Sequence, residues 1–180
     1  MNNLAFLREA ARSFRDTGAV ARSSRFLVDR MLRRVDFTAP GLHVLEYGTG
    51  EGCITREILE RLPPDGRLTA FELNPVFAER IASMNHPRLR TINGGAQLTG
   101  RCVEPASVDY IVSSLPLSNI PDAVKKLILN EAKRALKPGG LFVQYQYALQ
   151  DYQLIREHFS EVDLSFTLLN LPPAFVYECC

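Results

Sequence analysis

At 180 residues the chain has the length of one domain with a sizeable core, and its 46% apolar and 23% charged residues are ordinary for a globular protein. No apolar run reaches the roughly 20 residues that a spanning helix needs, and no N-terminal apolar stretch with a cleavage site is visible. The net charge of +1 conceals an asymmetry, because residues 1–34 carry eight arginines (Arg8, Arg12, Arg15, Arg22, Arg25, Arg30, Arg33, Arg34) against Glu9, Asp16 and Asp29, a balance of +5 that leaves −4 for the remainder. That segment suggests an anionic partner. Four cysteines, Cys53, Cys102, Cys179 and Cys180, show no CxxC spacing, which argues for free thiols in a reducing compartment and no metal site. The Cys179-Cys180 pair reads as an inert tail.

Residues 3–15 read as a helix with Leu4, Leu7, Ala11 and Phe14 on one stripe and Arg8, Arg12 and Arg15 on another. Gly18 ends it. Ser23 or Ser24 can cap a second helix over 25–35. After Pro40-Gly41 strands and helices alternate. Strand His43 to Tyr47 leads into a helix from Gly52 to Leu62, and Pro63-Pro64-Asp65-Gly66 is a turn. Strand Leu68 to Glu72 precedes a helix from Pro75 to Met84. Strands Leu89 to Ile92 and Val108 to Ser113 follow, then a long helix that starts at Pro121-Asp122 and stops before Pro138-Gly139-Gly140. Strand Leu141 to Tyr147, a helix from Tyr152 to His158, and strands Val162 to Leu169 and Phe175 to Glu178 complete the chain. His43, His86 and His158 read as surface residues. The alternation predicts an α/β fold, Rossmann-like, with seven strands, mostly parallel, closed by an antiparallel C-terminal hairpin. Residues 1–38 form a basic helical segment or lid before a main domain over 39–180.

The most informative string is Val44-Leu-Glu-Tyr-Gly-Thr-Gly-Glu-Gly52, with Glu72 twenty residues further on. A strand enters a glycine-rich turn that opens a helix, and the next strand ends in a carboxylate, which is the layout of a nucleoside site. The spacing Gly48-x-Gly50-x-Gly52 is not the dinucleotide fingerprint, and no phosphate loop with Gly-Lys is present. Glu46 would repel a pyrophosphate and suits the ammonium of an amino acid, while Glu72 suits ribose hydroxyls. Together with Tyr47, Thr49 and the glycines, they point to S-adenosylmethionine. Leu73 and Asn74 would flank the adenine, and Gly95, Ala96 and Gln97 after the third strand would contact it through backbone groups or the Gln97 side chain. Ser113 and Leu115 join them at the same sheet edge, where such folds bind ligands.

The string is similar to motif I of class I S-adenosylmethionine-dependent methyltransferases, and Glu72 to their motif II. The segment Ser113-Ser-Leu-Pro-Leu117 resembles the acceptor motif of enzymes that methylate nucleobase amines, except that Leu117 stands where those carry a base-stacking aromatic. Phe26-Leu to Met31, Phe71-Glu-Leu-Asn-Pro, Ser113-Ser-Leu-Pro-Leu-Ser-Asn-Ile-Pro, Lys137-Pro-Gly-Gly, Phe142-Val-Gln-Tyr-Gln-Tyr and Asn170-Leu-Pro-Pro-Ala-Phe-Val-Tyr resemble the bacterial phospholipid N-methyltransferases that act on phosphatidylethanolamine. Ser114, for Gly, and Arg22, for Pro, depart from that pattern. The resemblance implies an enzyme on an anionic membrane surface, peripheral at the inner face in the cytoplasm. The amine pocket it implies would involve Ser114, Tyr145, Tyr147 and Tyr177, with aromatic faces holding a methylated ammonium. Other readings are an RNA adenine methyltransferase, a small-molecule methyltransferase and a non-catalytic S-adenosylmethionine-binding protein.

Overall fold

The computed structural model of the chain describes residues 24–180, and the helix expected over residues 3–15 lies outside them. The described elements are α1 (Arg25–Leu32), β1 (His43–Tyr47), α2 (Cys53–Arg61), β2 (Arg67–Glu72), α3 (Pro75–Ala82), β3 (Leu89–Asn93), α4 (Thr99–Cys102), β4 (Val108–Ser113), α5 (Asp122–Ala135), β5 (Leu136–Gln146), α6 (Tyr152–His158), β6 (Val162–Thr167) and β7 (Ala174–Cys179). The strands form one sheet in the order β3-β2-β1-β4-β5-β7-β6. The first five run parallel, and β7 lies antiparallel to both β5 and β6. The chain turns back on itself between β1 and β4, so the crevice beyond those strand ends is the switch point.

Strand alternation divides the core between two faces. Leu45, Tyr47, Ile111, Phe142 and Tyr177 pack with Ile128, Leu129 and Ala132 of α5. Val44, Val112, Val143 and Val176 pack with α1 and α2 through Leu27, Met31, Ile54 and Ile58. Ser24 caps α1, its hydroxyl accepting from the Leu27 amide at 3.2 Å. The apolar side of α1 is buried, and arginines in it and just after it reach the C-terminal strands. Arg30 donates to Ser165 Oγ at 2.9 Å, Arg33 pairs with Glu178 at 3.1 Å and Arg34 with Asp163 at 3.2 Å. Part of the anionic partner that the basic segment called for is therefore the protein's own sheet.

Three local expectations are corrected. His43 is buried, with Nδ1 donating to the Ser107 carbonyl at 3.2 Å and Nε2 accepting from Thr69 Oγ1 at 3.1 Å. Burial pushes its pKa down to about 4, so the ring is neutral. Cys179 belongs to β7, buried opposite Phe142 and Val162, and is not tail. Strand β5 begins at Leu136, so Lys137-Pro-Gly-Gly is an irregularity inside a strand: Gly139 takes φ +78° and the register with β4 shifts between Val108 and Tyr110.

Candidate functional site

Glu46 and Glu72 sit on the same face of the sheet, since Glu46 is level with Ala70 and Glu72 lies two residues beyond it. The turn between β1 and α2 folds over them. Gly48, Gly50 and Gly52 all have positive φ, at +78°, +50° and +82°. A Cβ on Gly52 would stand 2.6 Å from Ile81 Cδ1 and 3.0 Å from Met84 Cε. Gly52→Ala therefore combines backbone strain with overpacking, and a loss of about 2 kcal/mol is expected on urea unfolding. A Cβ on Gly50 would meet nothing within 4 Å. This glycine opens onto free space at the switch point.

Glu72 shapes that turn. Its Oε2 accepts from the Gly50 amide at 2.9 Å and from Thr49 Oγ1 at 3.3 Å, and its Oε1 accepts from the Asn74 amide at 2.8 Å. Asn74 then caps α3, accepting from the Val76 amide at 3.0 Å. Glu46 is differently placed. It is fully buried, and Oε2 accepts from Thr55 Oγ1 at 2.7 Å, while Oε1 has no partner. Burial, with a smaller push from the Glu72 charge, raises its pKa to about 8. A buried carboxyl lacking a partner on one oxygen is costly unless something completes it. Thr55 went unnoticed in the sequence, although its place at the third position of the helix that the glycine turn opens would have signalled it.

The other predicted positions divide. Gly95 and Gln97 lie together after β3, with the Gln97 amide folded against Gly95. Ala96 is buried in the core, where its carbonyl accepts from Thr99 Oγ1 at 2.7 Å. Leu73 packs at the margin of the α5-side core. Tyr47 brings only its backbone to the site: its ring is buried edge-on to Phe71 on the opposite face, and its hydroxyl meets Thr99 Oγ1 at 2.8 Å. The Ser114 hydroxyl turns to the glycine loop, close to the Gly48 carbonyl and 3.3 Å from that of Tyr47. With its amide donating to the Tyr47 carbonyl at 2.9 Å, Ser114 fastens β4 to the glycine turn; its one proton is directed there, not to an acceptor. Ser113 is buried below it, and Leu115 lies against Gly48.

Tyr145 and Tyr147 do come together, their rings edge-to-face at 5.6 Å, on the Glu46 side of the sheet. Tyr177 is separated from them. It pairs with Gln144, one residue out of phase with Tyr145, and so lies on the α5 side, where its ring meets Tyr152 at 6.2 Å. Gln144 and Gln146 share that side, and both Nε2 atoms donate to the Leu115 carbonyl, at 3.0 and 2.9 Å. The Gln-Tyr-Gln-Tyr alternation thus has two functions: glutamines hold the Leu115 loop from one face, and tyrosines stand on the other. Sequence reasoning had assigned nothing to the glutamines. Asn93 was also missed; its Nδ2 donates to the Glu72 carbonyl at 3.0 Å and ties β3 to the β2 end.

A methyltransferase-domain family matches residues 44–140, which spans the glycine turn, Glu72 and the Leu115 loop. The chain belongs to that family. It is a class I, S-adenosylmethionine-dependent methyltransferase with the Rossmann-like sheet described above. An ornithine lipid N-methyltransferase from Singulisphaera acidiphila is 35% identical over 146 residues, covering 76% of this chain and 74% of that protein. An rRNA methyltransferase from Streptomyces thermotolerans is 37% identical over 145 residues, 77% of this chain but 46% of that protein. Among solved structures, 1,6-didemethyltoxoflavin-N1-methyltransferase from Burkholderia thailandensis, with S-adenosylhomocysteine bound, superposes with a TM-score of 0.74 at 19% identity, over 97% of this chain and 87% of that one. Among the described residues of this methyltransferase no group of three or more His, Cys, Asp or Glu could hold a metal ion, and no helix is long and apolar enough to cross a membrane.

Proposed function

We propose that this methyltransferase acts on the amine of a membrane-lipid head group, such as phosphatidylethanolamine or an amino-acid-bearing lipid, at the cytoplasmic face of a membrane. The observation that carries this reading is Leu117. It occupies the position at which nucleobase-amine enzymes would hold a stacking aromatic, and it is wholly buried in the core. A flat base would have no platform there. The ornithine lipid relative supports a lipid amine as the class of acceptor.

Bound S-adenosylmethionine supplies a methyl group on a sulfonium. Glu46, with its unpartnered Oε1, would hold the cofactor ammonium, and Glu72 would receive the ribose hydroxyls on its remaining lone pairs. Leu73 and Asn74 would border the adenine, with Gly95 and Gln97 beyond. The acceptor nitrogen needs a free lone pair, whereas a primary ammonium titrates near 10.4 in water. The Tyr145–Tyr147 pair offers an apolar wall that favours the neutral amine and aromatic faces that hold the methylated cation. The ammonium would give its proton to solvent before transfer. The N–C bond would then form as the sulfonium's S–C bond breaks, leaving a neutral thioether and a methylated ammonium that releases a further proton to solvent.

A second reading is methylation of an RNA, on an adenine by the motif resemblance; the Streptomyces rRNA methyltransferase relative supports RNA as the acceptor. The two separate in a single experiment with labelled cofactor, a bacterial lipid extract in one tube and ribosomal RNA in another. Label in the organic phase, lost with Glu46→Gln, is the expected result. Label in the RNA would overturn the lipid reading.

A further inference from the structure

The segment between β6 and β7 reverses the usual chemistry of a loop tip. Such tips are ordinarily polar. Here Leu168, Leu169 and Leu171 are 74%, 62% and 85% exposed, and the polar Asn170 is buried among them. Asn170 Oδ1 accepts from the Ser24 amide at 3.0 Å, and its Nδ2 donates to the Pro172 carbonyl at 2.7 Å. The Ser24 hydroxyl donates to the Leu169 carbonyl at 2.8 Å. Pro172 and Pro173 have no N–H to satisfy. The tip thus turns leucines outward while several of its backbone groups are already satisfied or absent, which is what an apolar medium demands of a chain. Phe26, at 58% exposure, stands beside it in the first turn of α1.

Its place matters as much as its composition. Gln146, near the C-terminal end of β5, is level with Phe175, so the β7 start and the tip before it lie at the sheet edge that carries Glu46 and the glycine turn. Exposed Tyr147 and Leu149 continue β5 at the same edge. Charge selects the occupant. Residues 164–177 contain no charged side chain, the residue beside Phe26 is the exposed Arg25, and the nearest acid in the sequence, Asp29, is paired with Arg61 at 2.7 Å. An uncharged apolar wedge with the Arg25 cation next to Phe26, and with that acid already paired, is complementary to an anionic bilayer surface.

We infer that the Leu168–Leu171 tip, with Phe26 beside it, inserts into the apolar layer of an anionic bilayer and brings the cofactor edge of the sheet against the head groups. This rests on the lipid-amine reading for its purpose, but not for its test. The test compares the full chain with its Leu169→Ser/Leu171→Ser variant, both positions being exposed and clear of the site. Sedimentation with phosphatidylglycerol–phosphatidylethanolamine vesicles measures binding. Methyl transfer is read on the same vesicles and on a short-chain, water-soluble phosphatidylethanolamine. At least a tenfold loss of vesicle affinity and of transfer on vesicles is expected, with transfer to the soluble lipid unchanged. Vesicle affinity that follows the leucines while no lipid amine is methylated would uphold the insertion and remove only the lipid-amine reading. Unaltered vesicle binding would overturn the inference, as would equal loss on both lipids. A dimer that the variant splits without changing vesicle binding would assign the tip to a second copy and overturn it too.

Discussion

Glu46→Gln is expected to weaken S-adenosylmethionine binding by about ten- to a hundredfold, the worth of one charge-assisted hydrogen bond of about 1.5–3 kcal/mol. The same substitution should change how both binding and stability depend on pH. Without ligand, Glu46 holds its proton up to about pH 8, well above the ordinary carboxylate range. A cationic ammonium at Oε1 favours the carboxylate, so binding at pH 7 releases a proton, and wild-type affinity should climb between pH 6 and 8 and then level off. The Gln variant should lack that climb. For stability the sign is opposite. The folded chain keeps a proton that the unfolded chain loses from about pH 4.5 upward, so the contribution of this group is complete at low pH and falls away as pH rises to about 8. The loss is on the order of a few kcal/mol. The ligand-free Gln variant, which cannot ionise, should therefore match wild type at pH 5 and exceed it at pH 8. Isothermal titration and urea unfolding at the two pH values measure both effects.

The second large effect is expected from Gln144→Leu/Gln146→Leu. Both side-chain amides donate to one carbonyl, that of Leu115, from beneath the loop that faces the acceptor. Removing both strips that carbonyl of its two side-chain donors and leaves it the Leu117 amide at 2.9 Å, at a cost of about 0.5–1.5 kcal/mol for each lost hydrogen bond, and frees the loop to shift. A displacement of about 1 Å at a reacting centre lowers rate by about a hundredfold. Because Glu46, Glu72 and the glycine turn are untouched, cofactor affinity should stay within about threefold of wild type while kcat falls. Single substitutions leave one donor in place and should cost much less. Steady-state kinetics alongside cofactor titration separates this outcome from unfolding, which would abolish both.

Much of this site is legible in the sequence because local backbone demands produced it. Three glycines in five residues announce positive φ, and each of them has it. The strand–turn–helix order places Glu46 and Glu72 on one face by the period of two alone. What the sequence withheld depends on register between strands distant in the chain. Tyr145, Tyr147 and Tyr177 look equivalent until β7 pairs with β5 so that Tyr177 meets Gln144, which sends it through the sheet to the α5 side. Ser114 matches an acceptor position by motif, yet the closeness of β4 to the glycine turn gives its hydroxyl a backbone carbonyl to bond. His43 reads as a polar strand end, but Thr69 and Ser107 come from neighbouring segments to satisfy it. The arginines in and just after α1 read as a surface for anions, while Glu178 and Asp163, more than a hundred residues away, take Arg33 and Arg34.

Tandem mass spectrometry of a purified phosphatidylethanolamine or ornithine-type lipid, presented in anionic vesicles with S-adenosylmethionine and the full chain, tests the central claim most directly. A product with methyl on the head-group nitrogen, absent with Glu46→Gln at limiting cofactor, is the predicted result. Unmodified lipid, from a protein that binds the cofactor and methylates RNA or a soluble amine in the same buffer, would contradict it.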